Sequence, residues 1–87
     1  MKRIFIDVRE PYEYNMGHVK GALNIPPMKL MSGLPAELAD VDKETPIVLY
    51  CLSGARSQMA MGFLSRYGFT NLANGINKDQ VAARYKV

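Results

Sequence analysis

Ile47-Val48-Leu49-Tyr50-Cys51-Leu52-Ser53-Gly54-Ala55-Arg56-Ser57 is the stretch on which the fold turns. Its first four residues are apolar with no polar alternation, the pattern of a central parallel strand covered on both faces. Ser57 to Tyr67 then places Met59, Ala60, Phe63, Leu64 and Tyr67 on one helical face, with Gly68 as the C-cap. Between strand and helix sits Cys51, the only cysteine of the chain. In open parallel sheets, ligands bind beyond the carboxyl ends of strands. A helix N-terminus adds unpaired N–H groups and a partial positive charge, which together favour a thiolate. Gly54 lets the backbone turn tightly enough for several N–H groups to converge, and Arg56 adds a fixed positive charge. The predicted result is a small cup that holds an anion beside a nucleophilic sulfur. The plainer alternative makes Cys51 a small core hydrophobe at the end of its strand. A core residue has no need of a glycine-bent basic loop behind it, so the cup is the preferred reading.

Working outward, Ile4-Phe5-Ile6-Asp7-Val8 reads as a buried strand. Pro11 suits the first turn of a short helix over residues 11–16, closed by Gly17. Ala22-Leu23-Asn24-Ile25 reads as a second strand, stopped by Pro26-Pro27. Met28 to Ala39 carries apolar residues at helical spacing, but Gly33 and Pro35 break it into two short helices. Asp40 to Pro46 is a polar turn. After the central stretch, Thr70-Asn71-Leu72 is expected to form a last short strand, Asn74-Gly75 a turn, and Lys78–Tyr85 a final helix with Val81 and Ala82 facing inward. Strands alternating with helices over short connections predict an α/β fold: a central, mostly parallel sheet with helices on both faces. Residues 1–87 read as one domain, with no internal repeat or linker.

Composition narrows the function classes. Apolar residues make up 48% of the chain and charged residues 22%, a globular balance. No run approaches the roughly 20 apolar residues of a membrane span. One thiol excludes an internal disulfide framework and a multi-thiolate zinc site, and with a single histidine no metal site is expected. The net charge is +3, unevenly spread. Residues 1–49 hold six basic and seven acidic groups; residues 50–87 hold five basic groups and only Asp79. The half with the cysteine is therefore the basic one, which favours small anionic ligands. Nucleic acid is the weaker reading, because no Lys/Arg cluster interleaves with aromatics. Met1-Lys2-Arg3 is followed by Ile4-Phe5-Ile6 and then at once by Asp7, Arg9 and Glu10, so no signal-like apolar region develops. The cytoplasm is expected, or the periplasm if a leader preceded the chain.

Cys51-Leu52-Ser53-Gly54-Ala55-Arg56-Ser57 resembles the active-site loop of the rhodanese (sulfurtransferase) family, Cys-x-Ser-Gly-x-Arg-Ser. Asp7-Val8-Arg9-Glu10 through Glu13-Tyr14, and Gly17-His18-Val19-Lys20-Gly21-Ala22-Leu23-Asn24-Ile25-Pro26, match that family's other signature in order and spacing. Leu64 with Tyr67-Gly68-Phe69 and Asn71-Leu72 resembles its helix-to-strand passage. The resemblance implies a small three-layer rhodanese-like fold and a sulfurtransferase without cofactor or metal. It assigns Cys51 as the nucleophile that takes sulfane sulfur from thiosulfate or another donor. It assigns Leu52, Ser53, Gly54, Ala55, Arg56 and Ser57 as the substrate-binding cup, with Arg56 orienting the donor or holding the loop. With no second cysteine, the acceptor must be external: cyanide, a small thiol or a thiol protein. A monomer is expected, with no nucleic-acid or membrane partner. The alternative is a non-catalytic rhodanese-like binding or regulatory module.

Two departures from the family pattern stand out. Leu52 replaces a basic residue that many members carry after the cysteine, which removes a charge for holding thiosulfate and points toward another donor. Asn74-Gly75-Ile76, with no tryptophan, replaces a Gly-Gly stretch, which bears on how the last helix packs. The Cys-x5-Arg loop of tyrosine phosphatases is one residue longer than this one, so a phosphatase is disfavoured. His18, the only histidine, is read as a structural hydrogen-bonding residue, and Asp7 as an Arg-pairing or turn-stabilising carboxylate that supports the site. Arg9 and Glu10 are read as solvated or paired. Met28, Met31, Met59 and Met61 are read as core filling, and Tyr12 and Tyr14 as packing residues.

Overall fold

The chain, residues 1–87, is described by a computed structural model. Its elements are β1 (Ile4–Asp7), α1 (Pro11–Asn15), β2 (Leu23–Asn24), α2 (Pro27–Met31), a 3-10 turn at Ala36–Leu38, β3 (Ile47–Cys51), α3 (Ala55–Arg66), β4 (Leu72–Asn77) and α4 (Lys78–Tyr85). The four strands form one sheet in the order β2-β1-β3-β4, and every pairing is parallel. β3 lies in the interior of that sheet, and all five of its residues are buried. Because successive side chains alternate between faces, Ile47, Leu49 and Cys51 point into one core while Val48 and Tyr50 point into the other. The first core also takes Leu30 of α2, Leu38, and Ala60 and Leu64 of α3. The second takes Val19, Ala22 and Val81 of α4, with Tyr14 of α1 packed against it. This is the expected layered arrangement, with Cys51 on the α3 side of the sheet.

Several sequence expectations need correction. α3 begins at Ala55, two residues before the predicted start, and its buried stripe is Ser57, Ala60 and Leu64. Met59 lies on the opposite side of the helix from Ser57 and is 58% exposed, and Met28 and Met31 are exposed as well. Of the methionines read as core filling, Met61 is the one packed against the core. Tyr12 is exposed rather than packed, because α1 is five residues long and buries none of them. Val81 is buried as expected, whereas Ala82 is only half-buried.

The larger correction concerns Asn74-Gly75. It is no turn: β4 runs through it, from Leu72 to Asn77, and enters α4 directly. Asn74 stands opposite Leu49 and Ile76 opposite Tyr50, so Gly75 is an extra residue that bulges the strand. Glycine is needed there for space. A Cβ on Gly75 would lie 2.4 Å from Val81 Cγ2 and 3.0 Å from Val48 Cγ1. The bulge leaves Ile76 at φ 74°, a left-handed conformation that a β-branched residue rarely adopts. Asn77 then caps α4, its side chain accepting the Gln80 N–H at 2.9 Å.

Candidate active site

β3 delivers Cys51 to the carboxyl edge of the sheet, and the chain must turn there into α3. Gly54 makes that turn at φ 93°, in the left-handed region where a side chain is strained. A Cβ at Gly54 would also press on Ile76 Cδ1 at 3.1 Å. The turn folds the loop back over the sulfur. Gly54 N–H donates to Cys51 Sγ at 3.1 Å, and Ser57 Oγ lies 3.6 Å from it. Cys51 is 1% exposed, so its sulfur forms the floor of a cup and not a surface thiol. Burial alone pushes such a thiol up. Here the Ser57 hydroxyl and the N–H groups of Ser57, Gly54 and Ser53 outweigh it and bring the thiol down to about 7.

Two clamps hold the cup. Arg56 donates through Nη1 to Glu13 Oε1 at 2.7 Å and through Nη2 to Oε2 at 3.1 Å. Glu13 Oε1 also accepts the Glu10 N–H at 2.9 Å, so the first turn of α1 is tied to the first turn of α3. The Arg56 hydrogen bond, then the Glu10 N–H, hold the Glu13 carboxyl at about 2. These contacts anchor the loop, and the Arg56 charge also acts on the Cys51 sulfur. The second clamp is Asn74 of β4, which donates from Nδ2 to Gly54 O at 2.9 Å and accepts from Ser57 Oγ at 2.6 Å. Sequence reasoning missed both partners. Glu13 stood inside the upstream signature without a role, and Asn74 was assigned to a turn.

The other predicted residues divide by place. Leu52, Ser53 and Ala55 are exposed around the cup, and Gly54 and Ser57 are buried within it. Leu52 joins Met16, Arg9, Glu13, Gly17 and Lys78 around a groove of about 280 Å³ at the rim. Asp7 is fully buried and paired with Arg9, which donates from Nη2 to Asp7 Oδ2 at 2.7 Å and to Gly17 O at 2.7 Å. This is the Arg-pairing role expected of Asp7, and a buried carboxylate requires such a partner. His18 stacks on Tyr14 with ring centroids 3.6 Å apart, and its Nδ1 lies 2.9 Å from Tyr14 O. These are the contacts of a structural histidine, and none of its hydrogen bonds reaches the loop.

Residues 1–80 match the family description of the rhodanese-like domain. The chain belongs to the rhodanese-like family. Among solved structures, a rhodanese with anions from E. coli superposes with a TM-score of 0.79 and 33% identity, covering 93% of each chain. A single-domain sulfurtransferase of Saccharomyces cerevisiae superposes at 0.73 with 25% identity, over 94% of this chain and 76% of that one. Among curated relatives, a tRNA uridine(34) hydroxylase of Hamiltonella defensa is 38% identical over 71 residues. One from Pectobacterium carotovorum is 35% identical over 71 residues. The match takes in 79% of this chain but only 20% of each hydroxylase. This rhodanese-like chain therefore spans about one fifth of the length of the curated relatives it matches.

Proposed function

We propose that this domain is a sulfurtransferase in which Cys51 carries sulfane sulfur as a persulfide. The observation that supports it most is the sulfur itself: buried, facing N–H donors, and drawn down to about 7. The Cys51 thiolate attacks the outer sulfur of a donor, forming a new S–S bond as the donor's own bond breaks. With thiosulfate, sulfite leaves with the electron pair. The N–H groups of Ser53, Gly54 and Ser57 stabilise the persulfide anion as a preorganised cup. An external thiolate or cyanide then attacks the outer sulfur and regenerates the Cys51 thiolate. The rim adds substrate preference. Leu52 and Met16 give it an apolar edge beside Lys78, which favours a donor less compact than thiosulfate, such as a small or protein persulfide.

Intact mass of the reduced protein after a persulfide donor or thiosulfate, then after cyanide, tests the reading. The expected outcome is a gain of one sulfur atom, lost to cyanide as thiocyanate and absent from Cys51→Ser. No uptake from either donor would leave a non-catalytic binding module. Uptake from the persulfide alone would assign the loss of thiosulfate to Leu52. The identity to tRNA uridine(34) hydroxylases carries a second reading, that the domain serves as one part of a tRNA-modifying protein. A mobility shift of tRNA by the purified chain supports that reading, and no shift at low salt overturns it for this segment.

A further inference from the structure

A single hydrogen at the floor of the cup has three acceptors around it. Ser57 Oγ lies 2.6 Å from Asn74 Oδ1, 3.1 Å from Gly54 O and 3.6 Å from Cys51 Sγ. A serine hydroxyl has one hydrogen to donate. The amide of Asn74 is fixed by two backbone groups that cannot exchange roles. The Ile76 N–H donates to Oδ1 at 3.0 Å, and Nδ2 donates to Gly54 O at 2.9 Å, with Gln58 Oε1 a further 3.5 Å neighbour of Nδ2. Asn74 therefore turns its oxygen to Ser57. Two oxygens 2.6 Å apart need a hydrogen between them, and only Ser57 has one. Toward Cys51 the hydroxyl consequently presents a lone pair, which accepts from an S–H and repels a thiolate.

We propose that Asn74 is a positioning residue that competes with Cys51 for the Ser57 hydrogen and so sets the acidity of the sulfur. In the thiol state the chain of donors runs from Cys51 S–H to Ser57 Oγ, and from Ser57 O–H to Asn74 Oδ1. When the thiol proton leaves to solvent, the hydroxyl turns to the thiolate, since a charge-assisted hydrogen bond is stronger than a neutral one. Asn74 Oδ1 then keeps only the Ile76 N–H. Releasing the hydroxyl costs Asn74 a partner, so Asn74 makes Cys51 a weaker acid than the same cup would without it. Of the surrounding charges, Arg56 also acts on the sulfur, but it is common to the native protein and every Asn74 variant. α3 contributes Arg56, which is tied to Glu13 of α1. β1 contributes Asp7, paired with Arg9, and the residues of β4 itself are all uncharged.

The inference draws its purpose from the sulfurtransferase reading, but its test does not use sulfur transfer. The pH midpoint of iodoacetamide alkylation of Cys51 is measured for the native protein, Asn74→Ala, Asn74→Asp, Ser57→Ala and the Asn74→Ala/Ser57→Ala pair, with a melting curve for each. Asn74→Ala is expected to lower the midpoint by about 0.5 to 1 pH unit, because the freed hydroxyl serves the thiolate. Asn74→Asp is expected to raise it, because a carboxylate holds the hydrogen harder and adds a like charge. In the Ser57→Ala background, Asn74→Ala is expected to leave the midpoint where it was. Midpoints that move the same way in Asn74→Ala and Asn74→Asp, or an Asn74→Ala shift that survives the loss of Ser57, would overturn the proposal. If Asn74→Ala does not fold, Asn74→Gly replaces it with the same expected sign. A shifted midpoint in a protein that takes up no sulfur would uphold this inference and sink the function proposed above.

Discussion

Cys51 is a buried thiol held in its more charged form, and that combination has consequences for pH. Its ordinary value of 9.0 falls to about 7 in the fold, because the N–H donors and hydroxyl around the sulfur outweigh its burial. A folded-state value below the unfolded one means that the stabilisation is full above the unfolded pKa and is lost as pH falls through about 7. The stability of the native protein relative to Cys51→Ser is therefore expected to rise between pH 6 and pH 9, by roughly 2–3 kcal/mol, measured by urea unfolding. A flat difference would mean that the cup does not favour the thiolate. Glu13 obeys the same sign at lower pH. With its carboxyl at about 2, it supports the Arg56 bridge at all milder pH and loses that role only as pH falls through about 2. Glu13→Gln is accordingly expected to show a constant deficit of about 1 kcal/mol or less from pH 5 to 8, because the pair is partly exposed.

At the scale of elements, the site depends on how closely β4 and α4 approach β3. Gly75 makes that approach possible, since a Cβ there would collide with Val81 and Val48. The bulge it creates turns Asn74 toward the loop and leaves Ile76 strained at φ 74°. Gly75→Ala is expected to destabilise the domain by about 1–3 kcal/mol through overpacking. It should also speed Cys51 alkylation near neutral pH, because displacement of β4 carries Asn74 away from Ser57 and frees the hydroxyl for the thiolate. Thermal melts and alkylation rates check both effects. A variant with native stability would show that the strand has room to spare.

For the molecule as a whole, two thin cores on opposite faces of one sheet supply the stability. A chain of this size buries a smaller share of its surface than a larger domain, and total stabilities of small domains are only about 5–15 kcal/mol. Leu64, fully buried in the α3-side core, is a point of failure. Leu64→Ala is expected to cost about 2–5 kcal/mol. Met59, on the same helix but exposed, is expected to tolerate Lys within about 0.5 kcal/mol. Urea midpoints of the pair separate the two faces of α3. A large loss at Met59 would mean that its side chain is covered in solution.

The sequence alone determined the features whose physics is local. The continuous apolar run Ile47–Tyr50 had to be a strand buried on both faces, Gly54 had to turn the chain, and the residues behind it had to form an amphipathic helix. Those three facts placed Cys51 at the edge of a parallel sheet beneath a helix N-terminus and gave the α/β class. The tertiary structure decided what depends on residues far apart in the chain. Glu13 meets Arg56 across 43 positions, and Asn74 meets Ser57 across 17. Asn74-Gly75 carries a strong local turn signal, but packing of α4 against β3 overrides it and makes the pair a bulge. The exposed methionines were misread for a related reason. A helix has a buried face only relative to its neighbours, and α3 packs through Ser57, Ala60 and Leu64, which leaves Met59 outward.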